Sequence, residues 1–69
     1  MSEQVFKHIE ITGTSTTTIE DAVNNALARA GKTMRQIRWF EISEVRGAVS
    51  EDHVSQWQVT IKLAFKLEY

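Results

Sequence analysis

The chain has 69 residues, with 8 basic and 9 acidic side chains, a formal net charge of -1, no cysteine and no proline. Charges this balanced, mixed along the chain, exclude a broad electrostatic pull on nucleic acid or an anionic membrane, and no run reaches the ~18 to 20 apolar residues that span a bilayer. One small domain over 1–69 is expected, and without disulfides or a Cys/His cluster its core is small enough that copies should associate.

The opening MSEQVFKHIE holds no apolar run of the kind a signal peptide needs, so a cytoplasmic protein is expected. Within it Val5, Ile9 and Ile11 share one parity and Phe6, His8, Glu10 and Thr12 the other, which predicts a half-buried strand over 4–12, ended by Gly13. The hydroxyl-rich GTSTTT follows. Thr17 with Glu20 three positions on matches a capping box and places a helix start near Thr18. Ile19, Ala22, Val23, Ala26, Leu27 and Ala30 then step by three and four to form one apolar stripe. Four alanines allow such a helix to lie close against a sheet, and Gly31 is expected to end it in a left-handed conformation.

Two longer β-rich segments complete the chain, from Arg35 to Arg46 and from His53 to Leu67. In the second, Trp57, Val59, Ile61, Leu63, Phe65 and Leu67 alternate with Gln58, Thr60, Lys62, Ala64 and Lys66. Between the two segments, GAVSED predicts an antiparallel hairpin with a loop of about six residues. The reading is an α+β protomer of order βαββ, a three-stranded antiparallel sheet wrapped round one helix.

One helix covers one face of a sheet, and the continuous apolar face through Val59, Ile61, Leu63 and Phe65 claims it. Adjacent Trp39 and Phe40 point to opposite faces. If Phe40 and Ile42 join the core, Trp39 goes to the uncovered face with Glu41, Ser43 and Val45; the alternative buries Ile37 and Trp39 and expels Phe40 and Ile42. Under the six-residue loop, Trp39 faces the neighbourhood of Thr60, with Gln58 one step diagonal. An indole brings ~150 to 250 Å² of area, so something is expected to cover it, either another copy or a flat ligand.

These residues carry a resemblance. VFKHIEITGTS, the helix ending ALARAGKTMR, RWFEISEVRG and QVTIKLAF, in that order and over essentially the whole length, are similar to dodecins. The resemblance implies that twelve such protomers form a hollow homododecamer binding flavin (FMN, riboflavin or FAD) in pairs between tryptophans. Trp39 would then stack on the isoalloxazine, and Gln58 would hydrogen-bond its pyrimidine edge through a carboxamide that both donates and accepts. Arg46 would meet a ribityl or phosphate group. Lys66 stands where relatives often carry arginine, which takes away a bidentate phosphate grip. Stacked indole also returns an excited flavin to its ground state by electron transfer, so the implied role is storage and photochemical quenching.

Without the resemblance, Trp39 reads first as a contact between copies and only second as a ligand platform, and an oligomeric interaction module without flavin stays open beside the storage reading. Trp57 is read as packing. His8 and His53 stand apart from other metal-ligating residues and are placed on the surface, and no ordered nucleophile motif supports catalysis. Lys62 and Lys66 on one face could attract coenzyme A as well as flavin phosphates.

Overall fold

A computed structural model describes residues 3–68. Strand β1 (Phe6–Ser15), helix α1 (Ile19–Ala30), strand β2 (Ile37–Ser50) and strand β3 (His53–Lys66) follow in the expected order. The sheet is antiparallel throughout, in the order β1-β3-β2. The most apolar strand is therefore central, where it is paired on both edges.

Ile9, Ile11 and Gly13 of β1 pair with Leu63, Ile61 and Val59 of β3, so one parity of both strands looks at the helix. Against Val59, Ile61 and Leu63 lie Ala22, Val23, Ala26 and Ala30 of α1, all buried. Small side chains let the helix sit low on the sheet. Gly13 does not end β1 but marks the closest approach: a Cβ there would collide with the Ala22 carbonyl and come within 2.8 Å of the Ala26 Cβ.

The helix begins one residue later than the capping box predicts. Thr18 is the cap, its hydroxyl accepting the Asp21 N–H at 2.9 Å, and Glu20 is not the reciprocal partner. Asp21 also accepts from buried Ser15 Oγ at 2.7 Å, while Asn25 Nδ2 donates to the Thr14 carbonyl at 3.0 Å. The cluster fastens the helix start to the end of β1. A carboxylate in the first turn suits the helix dipole. Gly31 has a right-handed φ of -65°, contrary to expectation; the chain continues the turn through Met34, whose N–H reaches the Ala30 carbonyl.

The β2–β3 hairpin differs most from expectation. Its loop is the pair Glu51–Asp52, with φ of 52° and 67°, the doubly positive pattern of a type I′ turn. Gly47, Ala48, Val49 and Ser50 are strand residues, paired with Trp57, Gln56, Val54 and His53. The register shifts accordingly, and Trp39 faces Ala64 rather than Thr60.

Two irregularities in β2 then decide which way its side chains point. The pairing skips Arg38 between Ile37 and Trp39, and Ser43 between Ile42 and Glu44. Ile37 thereby reaches the core although Trp39 does not. Past Ser43 the parity reverses, so Val45, expected on the uncovered face, lies opposite buried Val59 on the helix side. Arg46 is carried to the helix-free face, opposite Gln58.

Candidate functional site on the helix-free face

Trp39 crosses the sheet. Its ring lies 4.8 Å, centre to centre, from Phe6 and 5.9 Å from His8, both on β1, two strands away. Between them is Ala64 of β3, paired with Trp39 on one side and His8 on the other. Ala64 faces away from the helix and lies outside the helix-side core, yet it is 0% exposed. A single methyl leaves room for the indole to lie down across the central strand, and the indole buries it. The tilted Phe6 ring (59°) and the edge-on His8 ring (85°) hold the indole from the β1 side. With 44% of its surface still open, Trp39 offers an aromatic plate braced from below.

Phe40, expected in the core, does not enter it. It points to the helix side as predicted, but α1 packs on β1 and β3 and leaves β2 outside its cover. Phe40 is 43% exposed and lines an open groove with Ile42 and the helix residues Ile19, Val23 and Leu27.

The four residues singled out from the sequence divide into two groups. Lys66 pairs with Phe6 and so stands beside the Trp39 plate. Arg46 and Gln58 stand together further down: Arg46 Nε donates to Gln58 Oε1 at 2.8 Å, and Gln58 Nε2 donates to Gln56 Oε1 at 2.9 Å. Gln58 and Ala64 are six residue steps apart on β3, about 20 Å along a strand. The expected diagonal contact between Trp39 and Gln58 is therefore absent within one chain. A flat ring on Trp39 reaches a Gln58 only if that residue comes from another copy.

Between the groups the face is charged. Glu10, Lys62 and Glu41 form one row across the three strands. Ser43 Oγ, at the bulge, lies 3.0 Å from Glu10 Oε2 and 3.2 Å from the Thr60 carbonyl, and the hydroxyls of Thr12 and Thr60 share a hydrogen bond at 2.8 Å. These bonds stiffen the stretch that re-aims Arg46. Sequence reasoning missed Phe6, His8 and Ala64 as the support of the indole; the shared parity of Phe6 and His8 was visible, but the register that brings them to Trp39 was not. Among the described residues no group of acidic, histidine or cysteine side chains is arranged to hold a metal ion, and no helix is long and apolar enough to cross a membrane.

Comparison with known proteins places this geometry. The family model described as Dodecin matches residues 5–68. The chain is 45% identical over 65 residues to the Dodecin of Thermus thermophilus, covering 94% of each protein. It superposes on the dodecin structure from Streptomyces coelicolor with a TM-score of 0.93 at 42% identity, over 100% of this chain and 99% of that one. Solved T. thermophilus dodecin structures, which match with a TM-score of 0.92, include variants in which a tryptophan is replaced by phenylalanine or either of two arginines by alanine.

Proposed function

Because the chain belongs to the dodecin family, we propose that it is a flavin-binding storage protein, a homododecamer that sequesters free flavin and quenches its photochemistry without turning it over. The observation that carries this reading is the half-open indole of Trp39 lying across Ala64 on the helix-free face. A flat electron-rich plate held from beneath suits a flat electron-poor isoalloxazine.

The two-group layout fits a site completed by a second copy. In the proposed site the ring stacks on Trp39, and Gln58 of a neighbouring protomer meets the pyrimidine edge through the lone pair and N–H that Arg46 and Gln56 leave free. Arg46, whose Nε already holds Gln58, has its remaining donors for a ribityl or phosphate oxygen. Lys66, beside the plate, supplies a point charge to a flavin phosphate and, more weakly, to coenzyme A. The tryptophan and two arginines replaced in the T. thermophilus variants are separated by the same intervals as Trp39, Arg46 and Lys66 here, which favours these positions over others on the face.

Association has independent physical support. The radius of gyration is 14.4 Å, against roughly 11 Å for a compact domain of this length. A second reading, an interaction module without flavin, draws on the apolar strip on the helix side of β2, which calls for a partner whatever binds Trp39. The experiment is a titration of riboflavin and FMN with the purified protein, followed by flavin fluorescence and by mass in solution. Quenching that saturates at a fixed ratio of flavin to protomer supports storage. An assembled protein that leaves flavin fluorescence unchanged supports the module.

A further inference from the structure

Gln56 and Gln58 are two steps apart on β3, so both side chains rise from the helix-free face. Opposite Gln58 stand Arg46 on β2 and Thr14 on β1. Gln56 has less company: its partner on β2 is Ala48, a bare methyl, and β1 stops at Ser15, one step short of it. Its carboxamide turns along its own strand, where its Oε1 accepts the Gln58 Nε2–H at 2.9 Å. Both glutamines are half-buried, while Arg46 is exposed.

A carboxamide can be turned over without changing its shape, so its partners set its sense. A guanidinium has donors only, and Arg46 Nε lies 2.8 Å from the Gln58 carboxamide, so the atom facing it must be the oxygen. The Gln58 nitrogen then faces Gln56, which must present oxygen in turn. One obligate donor thus orders the whole chain from Arg46 through Gln58 to Gln56. Each Gln58 atom keeps part of its capacity, a lone pair on Oε1 and an N–H on Nε2. The acceptor stands toward Arg46 and the donor toward Gln56. The pyrimidine edge of an isoalloxazine runs carbonyl, N–H, carbonyl, so the lone pair suits the N3–H and the N–H suits one flanking carbonyl. Arg46 alone cannot hold that arrangement, because a single bond at the oxygen leaves the amide plane free to swing. The second bond, at Nε2, removes the swing.

We propose that Gln56 is a positioning residue of the flavin site: its Oε1 holds the Gln58 carboxamide in the plane and sense that read the pyrimidine edge of a ring seated on Trp39 of a neighbouring copy. This role rests on the flavin reading and deepens it. It also sets what the site selects, a flat ring bearing an unsubstituted cyclic imide. A ring methylated at N3 has no N–H there and puts a methyl group against the Gln58 oxygen. Ordering the carboxamide before the ring arrives lowers the cost of ordering it on binding.

The test compares lumiflavin with 3-methyllumiflavin, which differ only at N3 and carry neither ribityl chain nor phosphate. Flavin fluorescence is titrated with the full chain as wild type, Gln56→Leu and Gln56→Glu, and the mass in solution is recorded on the same samples. The wild type should bind lumiflavin at least about tenfold more tightly than its N3-methyl form. Gln56→Leu, which cannot accept, should weaken lumiflavin about fivefold at unchanged mass and leave 3-methyllumiflavin as it was, so the preference shrinks. Gln56→Glu keeps an acceptor oxygen and should keep the wild-type preference; both flavins are uncharged, so the added charge favours neither over the other. A merely structural Gln56 would weaken both flavins alike. Equal loss for both flavins, an unchanged preference or a fall in mass in Gln56→Leu, a glutamate variant no better than leucine, or a wild type indifferent to N3 methylation would overturn this role while flavin binding itself stands. Lumiflavin fluorescence untouched by the wild type would overturn the storage reading, and this role with it.

Discussion

Trp39 and Phe40 are neighbours in the chain and nearly equal in exposure, 44% and 43%, yet they belong to different regions of the molecule. Trp39 lies on the helix-free face, braced by Phe6, His8 and the methyl of Ala64, and is surrounded by groups that hydrogen-bond and carry charge. Phe40 lies on the helix side, among apolar side chains that the helix is too short and too far over to cover. Equal solvent exposure thus has two physical meanings. A rigid aromatic plate in a polar setting is suited to orient a flat ligand, while an apolar strip in a groove is suited to another protein surface.

That contrast can be broken from several directions. The largest effect should come from Gly13→Val, which pushes a branched side chain into the Ala22 carbonyl and lifts the helix from the sheet that both faces share. A loss of about 3 kcal/mol or more is expected, measured by denaturant unfolding under circular dichroism. Ala64→Leu should act on one face only: the larger side chain raises the indole off β3, weakening riboflavin binding about tenfold, ~1.4 kcal/mol, at unchanged mass. Equal affinity in that variant would show that the flat seating of Trp39 is irrelevant. Thr18→Ala removes the helix cap and should cost about 1 kcal/mol of stability with no change in flavin affinity, which thermal melts and fluorescence titration together would reveal.

Much of this arrangement was legible in the sequence. Period-two alternation in β3 gives its two faces directly, and with them the opposite directions of Trp39 and Phe40. Stepwise spacing gives the helix and its alanine-lined underside. The misreadings trace to particular residues. GAVSED has the composition of a loop, but Gly47 is a strand residue opposite Trp57, and the turn is carried by Glu51 and Asp52, which lack the Asn-Gly signature of a positive-φ pair. A bulge leaves no compositional mark, so the shift at Ser43 that moves Arg46 beside Gln58, and the one at Arg38 that admits Ile37 to the core, could not be read from periodicity. The diagonal contact between Trp39 and Gln58 failed for the first of these reasons: the turn lies at Glu51–Asp52 rather than near Val49 and Ser50, which moves Trp39 from Thr60 to Ala64. In the site proposed above, the Gln58 that meets a ring on Trp39 therefore comes from a neighbouring copy.

The most direct measurement is riboflavin fluorescence titrated with the wild-type protein and with Trp39→Ala, the mass in solution being recorded on the same samples. The account predicts strong, saturable quenching by the wild type and at least about a hundredfold weaker binding by the variant, ~2.7 kcal/mol, at the same mass. Equal quenching by both proteins would contradict it, and so would an assembly that falls apart when the indole is removed.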